Sequence, residues 1–373
     1  MSRFLAILMV LMSGTVAMPR GPQARGSVDG VGTWSELGAS GTSDTVHAFT
    51  VYGGALVMAG EFTAIGSVSP IFYVAKWDGT AWTGLGGGMS TYVYALAVYD
   101  GELIAAGNFV TAGGIAANRI AKWNGTQWTP LGAGTNGSVR ALAVHGGNLI
   151  AAGSFTTAGS GTANHIAKWD GSAWSELGGG VDGVVDALAV YAGKLVVAGN
   201  FFSAGTISAG RIAAWSGPSW SVLGAGADDE IHALAVYSDA LIAGGDFTSM
   251  DIVDANHVAR WNGTAWSALG SGVDNEVRAL DVYADDLVVG GLFAHAGGIV
   301  ANRIAKWTGS QWLGLGSGIT AGGPSSGSVR ALGVYGADLA VGGSFSNAGG
   351  TPVLHMARWR DPGADIVFGN GFD

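Results

Sequence analysis

The chain has 373 residues and a formal net charge of −10, with 48% hydrophobic and only 12% charged residues. An acidic surface repels phosphate groups, so the composition argues against nucleic acid or an anionic membrane as a general partner. The chain has no cysteine, which excludes disulfides, thiolate nucleophiles and cysteine-ligated metals. Its 66 glycines exclude a mainly helical fold, because glycine destabilises helix interiors.

The N-terminus has the pattern of a secretory signal peptide. Arg3 precedes an apolar run from Phe4 to Met12, and small residues follow as far as Ala17. This order predicts a signal peptide at residues 1–17, with cleavage after Ala24 as the second choice. The protein is therefore predicted to be secreted, periplasmic or at the cell surface; a buried first strand or an uncleaved anchor is the alternative. No later segment reaches the roughly 20 apolar residues of a membrane span.

Residues 26–363 contain an internal repeat of about 46 residues, and its anchors are aromatic. One tryptophan begins a W-x-x-L-G motif, and a second ends an apolar segment of the I-A-K-W type. The first series is Trp34, Trp82, Trp128, Trp174, Trp220, Trp266 and Trp312. The second series is Trp77, Trp123, Trp169, Trp215, Trp261, Trp307 and Trp359. A phenylalanine series keeps the same spacing: Phe62, Phe109, Phe155, Phe201, Phe247, Phe293 and Phe345.

Each repeat is predicted to form four strands. In the third copy, strands at 139–145 and 148–155 flank a Gly-Gly turn, and strands at 165–169 and 173–177 flank an Asp-Gly turn. No helical periodicity is present, so the fold is predicted to be all-β. Seven four-stranded units of this length predict a seven-bladed β-propeller. A β-solenoid is the alternative, but its coils are usually shorter.

The phase of the repeats predicts how the ring closes. A lone W-x-x-L-G strand lies at 33–38, whereas the last copy has only three strands and ends at Trp359. The N-terminal strand is therefore predicted to complete the last blade, which closes the ring and removes a free sheet edge. Residues 364–373 form a separate C-terminal tail, for which a sorting or anchoring tag and a disordered end are the alternatives.

Two sets of polar residues are predicted to share one face of the propeller. In an antiparallel blade, the starts of the first and third strands lie on the same side. The first-strand set is His47, Tyr94, Arg140, Asp186, His232, Arg278 and Arg330. The third-strand set is Arg119, His165, Arg211, His257, Arg303 and His355, with Tyr73 in the first copy. These positions vary while the anchors stay constant, which is typical of a binding face on a rigid scaffold.

The arginines and histidines of these sets have two interpretations. They could bind a metal, carboxylates or phosphates, or they could hydrogen-bond backbone carbonyls at the sheet edges. The second interpretation is preferred for the third-strand set, because residues one blade apart are expected to lie too far apart to share a metal. No metal, cofactor or catalytic residue is predicted. The tryptophans are assigned to packing rather than to sugar stacking.

Enzyme signatures known on propellers are missing from the sequence. A copper radical oxidase needs a cysteine, and the sialidase Asp-box is not matched at 78–82. A glycosidase needs two carboxylates across a pocket, and the predicted face offers Asp186, Asp246 and Glu61 on separate blades without a motif.

The repeat resembles the kelch type, in which a strand ends near a paired glycine and aromatic residues follow on the next two strands. Gly244-Gly245, Trp261 and Trp266 occupy these places in one copy. Several copies depart from the pattern by having Ala-Gly. The repeat is more similar to glycine-rich bacterial repeats that also resemble the fungal cortical marker of cell polarity. The shared pattern runs through residues 33–359 and consists of V-x-A-L-x-V, G-G-x-F and I-A-x-W-x-G-x-x-W. This resemblance implies a propeller in an exported or surface protein and implies no reaction.

These observations predict an exported, monomeric, non-enzymatic scaffold that binds a protein or glycan through one polar face. A polysaccharide-active hydrolase or lyase on the same face is the alternative, and a passive envelope component is a third possibility.

Overall fold

The computed structural model describes residues 32–321 and 327–361. Within these ranges the regular structure consists of β-strands and turns, so the predicted all-β fold is confirmed. No helix of the described chain is long and apolar enough to span a bilayer. The predicted signal peptide at 1–17, its alternative end at Ala24 and the tail at 364–373 lie outside the described residues and stay predictions.

The described strands form seven four-stranded antiparallel sheets, numbered here in chain order of their first strands. Their bounds are: sheet 1, Val46–Tyr52, Ala55–Gly60, Val74–Trp77 and Trp82–Gly84; sheet 2, Val93–Tyr99, Glu102–Gly107, Ile120–Trp123 and Trp128–Pro130; sheet 3, Val139–His145, Asn148–Gly153, Ile166–Trp169 and Trp174–Glu176; sheet 4, Val184–Tyr191, Lys194–Asn200, Ile212–Trp215 and Trp220–Val222; sheet 5, Ile231–Tyr237, Ala240–Gly245, Val258–Trp261 and Trp266–Ala268; sheet 6, Val277–Tyr283, Asp286–Gly291, Ile304–Trp307 and Trp312–Gly314; and sheet 7, Ser328–Tyr335, Asp338–Ser344, Met356–Arg360 and Thr33–Ser35.

The loops between the second and third strands of most sheets contain short additional strands. The two-stranded hairpins are Thr111–Ala112 with Ile115–Ala116, Thr157–Ala158 with Gly161–Thr162, Ser203–Ala204 with Ile207–Ser208, Ser249–Met250 with Val253–Asp254, and His295–Ala296 with Ile299–Val300. A three-stranded version joins Ile319–Thr320, Asn347–Ala348 and Thr351–Pro352.

The first strands of consecutive sheets lie against one another in a cycle. The first strand of each sheet from 1 to 6 contacts that of the next, and the first strand of sheet 7 contacts that of sheet 1. Chain order alone would leave sheets 1 and 7 apart, so this last contact brings the two ends of the repeat array together.

Sheet 7 is built from both ends of the described chain. Thr33–Ser35 pairs antiparallel with Met356–Arg360, and Trp34 lies opposite Trp359 in the register. The two indole rings are 5.2 Å apart, and Arg358 Nε donates to Ser35 Oγ over 2.8 Å. The N-terminal strand therefore supplies the fourth strand that the last repeat lacks.

Tryptophans of the W-x-x-L-G series connect neighbouring sheets. Each indole Nε1–H donates to a backbone carbonyl of the preceding repeat, as in Trp82 to Leu37 at 2.7 Å and Trp128 to Leu85 at 2.9 Å. The same bond joins Trp34 to Leu315 across the two chain ends, at 2.8 Å. Paired tryptophans within a sheet have centroids 5.1 to 5.5 Å apart. The tryptophans therefore serve packing, as the periodicity predicts.

Candidate functional site

Every residue of the first-strand set is the extra residue of a β-bulge. The pairing of the first and second strands shifts between Val46 and Ala48, so His47 has no partner on the opposite strand. The same shift recurs in the other six sheets. A bulge bends the strand and redirects one side chain. The fold thus presents one unpaired side chain from each sheet at equivalent places.

A glycine on the second strand makes each bulge possible. A Cβ built on Gly60 would overlap the carbonyl oxygen of Thr45, and one on Gly153 would overlap that of Ser138. The equivalent glycines of the remaining sheets meet the same obstacle: Gly107, Gly199, Gly245, Gly291 and Gly343. Because the obstacle is backbone rather than a flexible side chain, only glycine fits there. The recurring glycine that ends the second strand in the sequence therefore marks the site.

The seven bulged residues surround one cavity of about 470 Å³. The complete lining is His47, Glu61, Tyr94, Ser138, Arg140, Asp186, His232, Arg278 and Arg330. Since each sheet contributes its first-strand residue, the cavity lies where the cycle of first strands meets. We call it the mouth cavity. The structure thus brings together all seven members of the predicted first-strand set.

Charged side chains in the mouth cavity are held by their neighbours. Arg140 Nη1 contacts Asp186 Oδ1 at 2.6 Å across two sheets, and Arg278 Nε contacts Glu276 Oε1 at 2.5 Å. His47 Nε2 lies 2.8 Å from Glu61 Oε1. Fixed positions for groups of both signs reduce the side-chain entropy that a ligand must remove on binding.

Two groups in the mouth cavity have shifted pKa values. Burial raises the pKa of Tyr94, and the negative charge of Glu61 adds to the shift. Burial, followed by the nearby positive charge of Arg278, lowers the pKa of Arg330. Tyr94 therefore stays a neutral hydrogen-bond donor at neutral pH, and its ring packs edge-on against His47 at 5.3 Å.

The third-strand set lies outside the mouth cavity. Its members precede the third strands by one residue and have φ between 63° and 68°. The arginines donate to backbone carbonyls: Arg119 to Thr135 and Arg211 to Ala227, both at 2.9 Å, and Arg303 to Gly327 at 2.6 Å. His165 and His257 place Nδ1 3.2 Å from the carbonyls of Gly153 and Gly245, whereas the Nδ1 atom of His355 is buried without a partner. These contacts are with backbone carbonyls, as in the second interpretation. The arginines bond carbonyls in the connections between sheets, whereas His165 and His257 contact carbonyls on second strands.

Three residues near the mouth cavity were absent from the predicted sets. Ser138 lines the cavity, and Glu230 and Glu276 lie beside His232. All three stand two positions before a first-strand residue, so the repeat register could have identified them.

Around the first-strand set, unlike the third-strand set, side chains of neighbouring sheets come close enough to share a metal ion. Donor atoms of Asp186, Glu230 and His232 lie within 4.8 Å of one another, although Asp186 belongs to sheet 4 and His232 to sheet 5. A second group with the same spacing consists of His232, Asp246 and Glu276. The bulges turn these side chains inward, where neighbouring sheets are closest.

No family model matches the sequence, and no curated protein matches it. Solved structures do match. The chain is similar to the WD40 β-propeller domain of Doa1, with 13% identity, a TM-score of 0.54, and 89% of this chain and 97% of that chain covered. It is also similar to the extracellular domain of the putative hybrid two-component system BT4673 from B. thetaiotaomicron, with 9% identity and a TM-score of 0.53, over 88% of this chain and 39% of that one. The computationally designed Ika8 protein matches with 17% identity and a TM-score of 0.50, over 87% of this chain and 98% of that chain.

The four-stranded sheets and these neighbours together define a β-propeller scaffold. Similarity at such low identity establishes the fold and no activity. The resemblance to kelch-type and cortical-marker repeats stays a prediction.

Proposed function

We infer that the protein is an exported, non-enzymatic, seven-bladed propeller that binds a glycan or protein through the mouth cavity. Seven four-stranded sheets, with the N-terminal strand in the last one, support the blade count and the mode of closure. The sequence pattern of residues 1–17 supports export to the periplasm, cell surface or medium.

One observation carries the binding proposal: seven different side chains from the same repeat position line one cavity. The supporting glycines and tryptophans repeat almost unchanged, whereas the cavity residues differ in charge and shape. A volume of about 470 Å³ lies in the range of small-molecule sites, roughly 300–1,000 Å³. A polar sugar unit or a short polar segment of a protein fits this size and lining.

The charge pattern favours a ligand with groups of both kinds. Arg278 and Arg330 come from neighbouring sheets and are close enough for their charges to interact, and Asp186 and Glu61 line the same cavity. A carboxylate or sulfate on a glycan would pair with the arginines, and its hydroxyl groups would donate to Asp186 or Glu61. An anionic or zwitterionic glycan is therefore the first ligand class to test.

A hydrolase acting on a polysaccharide is the second candidate, because donor oxygens of Asp186 and Glu230 lie within 4.8 Å of each other. Retaining glycosidases hold their two carboxyl groups about 5–5.5 Å apart. Asp186 is ion-paired with Arg140 and Glu230 accepts a hydrogen bond from the Asn200 side chain, so neighbouring side chains already engage both carboxylates. We therefore favour binding.

The test combines a glycan array with a peptide library and a product assay. Arg278→Ala and Arg140→Ala should each weaken the binding of the ligand at least tenfold. His145→Ala, at the opposite end of the same strand as Arg140, is the control and should bind like the wild type. Undiminished binding by both arginine variants would place the ligand elsewhere, and release of shortened saccharides would favour the hydrolase.

A further inference from the structure

His232 lies at the junction of three sheets and is close to four carboxylates. Its donor atoms take part in both groups that could hold a metal ion, one with Asp186 and Glu230 and the other with Asp246 and Glu276. Within each group the donor atoms are no more than 4.8 Å apart. Ligand atoms around a single cation must converge to a similar degree, so the geometry requires only small side-chain movements.

Two buried atoms in the second group lack hydrogen bonds. His232 Nε2 and Asp246 Oδ1 are shielded from solvent and have no hydrogen-bond partner. Nε2 lies 3.1 Å from Asp246 Oδ2, but the alignment at that distance does not make a hydrogen bond. Buried polar atoms without partners are uncommon in folded proteins, and a bound ion is one of the recognised reasons for them. These two atoms point to something that is held between the imidazole and the carboxylate.

The remaining carboxylates are already positioned. Asp186 contacts Arg140 through one oxygen, Glu276 contacts Arg278 through Oε1, and Glu230 accepts a hydrogen bond from the Asn200 side chain. Two arginines thus offset two of the four carboxylates, which leaves negative charge beside His232. A divalent cation would compensate for that charge.

A matched position in the same chain shows what is different at His232. His47 and Glu61 of sheet 1 correspond in the repeat to His232 and Asp246 of sheet 5. Their contact is a well-formed hydrogen bond of 2.8 Å. The residue corresponding to Glu276 is Tyr92 there, so the pair at His47 has no third ligand and belongs to neither group.

We propose that His232, Asp246 and Glu276 bind a divalent transition-metal ion, Zn²⁺ or Mn²⁺, beside the mouth cavity, which His232 lines. An imidazole with two carboxylates suits these ions better than Ca²⁺ or Mg²⁺, which prefer oxygen ligands alone. Three protein ligands would leave coordination positions open towards the cavity. The proposal shares the cavity with the proposed binding function, and a hydroxyl or carboxylate of that ligand would complete the coordination.

Isothermal titration of the EDTA-treated, dialysed protein with ZnCl2, MnCl2, CaCl2 and MgCl2 tests the proposal. One Zn²⁺ or Mn²⁺ ion per chain should bind, with little response to Ca²⁺ or Mg²⁺. Asp246→Asn and Glu276→Gln should each weaken the binding at least tenfold. Glu61→Gln is the control, because Glu61 is to His47 what Asp246 is to His232. It should leave the affinity for Zn²⁺ or Mn²⁺ unchanged, and circular dichroism would verify that all three variants fold.

Several outcomes would overturn the proposal. No transition-metal binding would do so, as would equal weakening by Glu61→Gln. Loss of binding in Asp186→Asn but not in Glu276→Gln would move the ion to the other group and contradict the ligand set. Repeating the glycan and peptide arrays in EDTA separates metal binding from the binding of a glycan or protein. Binding of an organic ligand without metal would preserve the proposed function even if no metal binds.

Discussion

Removing the indole of Trp34 should destabilise the whole protein, because that side chain joins the two ends of the chain. Trp34 is half-buried, packs on Trp359 and donates to the Leu315 carbonyl. Truncating a buried tryptophan to alanine costs about 3–5 kcal/mol, and partial exposure reduces this to about 2 kcal/mol. The lost hydrogen bond adds about 1 kcal/mol. We therefore expect Trp34→Ala to lower the free energy of unfolding by about 3 kcal/mol.

This loss converts into a measurable shift in melting temperature. With an unfolding entropy of about 2.1 cal/mol/K per residue, the roughly 320 described residues give about 0.7 kcal/mol/K, so the melting temperature should fall by about 4 °C. Differential scanning calorimetry and urea unfolding would measure the two quantities. Trp220→Ala is the matched control. Trp220 is also half-buried and donates to a carbonyl of the preceding repeat, that of Gly178, but lies within the chain.

Both variants should lose similar stability if the N-terminal strand closes the ring. If Trp34→Ala changes the unfolding free energy by less than about 0.5 kcal/mol while Trp220→Ala loses about 3 kcal/mol, the strand does not contribute to the fold and the closure is refuted.

Two further predictions concern the bulge and the pH dependence of stability. Gly153→Ala should lower the free energy of unfolding, measured in urea, by about 2–3 kcal/mol, because the added methyl group would meet the Ser138 carbonyl. Gly161→Ala is the control: a Cβ has room there, so the free energy of unfolding should change by less than about 0.5 kcal/mol. Equal effects of the two substitutions would contradict the role of Gly153 in the bulge. Burial lowers the pKa of His355 below its usual 6.5, with Asp44 opposing the shift only in part. As the pH falls below about 6.5, this histidine is protonated in the unfolded chain before it is protonated in the folded protein, so the stability should decrease. His355→Gln should reduce the fall in melting temperature between pH 7 and pH 5. An unchanged dependence of the melting temperature on pH would refute this role of His355.

The periodic anchors account for most of what the sequence could predict. The two tryptophan series gave the strand order and the position of the orphan strand, because each Trp has one environment that recurs in every sheet. The first-strand set could be predicted to share a face because the position before Ala48, Ala95 and their equivalents varies while its neighbours do not.

Backbone conformation explains what the sequence could not predict. Backbone carbonyls were the preferred partners of the third-strand set, but the left-handed φ values of Arg119 and its equivalents could not be predicted from the sequence pattern. Glu230 and Glu276 stand two positions before a first-strand residue, so the repeat register could have identified them. Their closeness to His232, which involves two neighbouring sheets, could not be predicted from the register alone.

The most direct test of a ligand site in the mouth cavity is a crystal structure of the protein with the first ligand from the arrays. We expect a ligand in the mouth cavity, in contact with Arg278 and with first-strand residues of at least two other sheets. A ligand seated on the outer fourth strands or beside the third-strand set, with the cavity filled only by water, would contradict it.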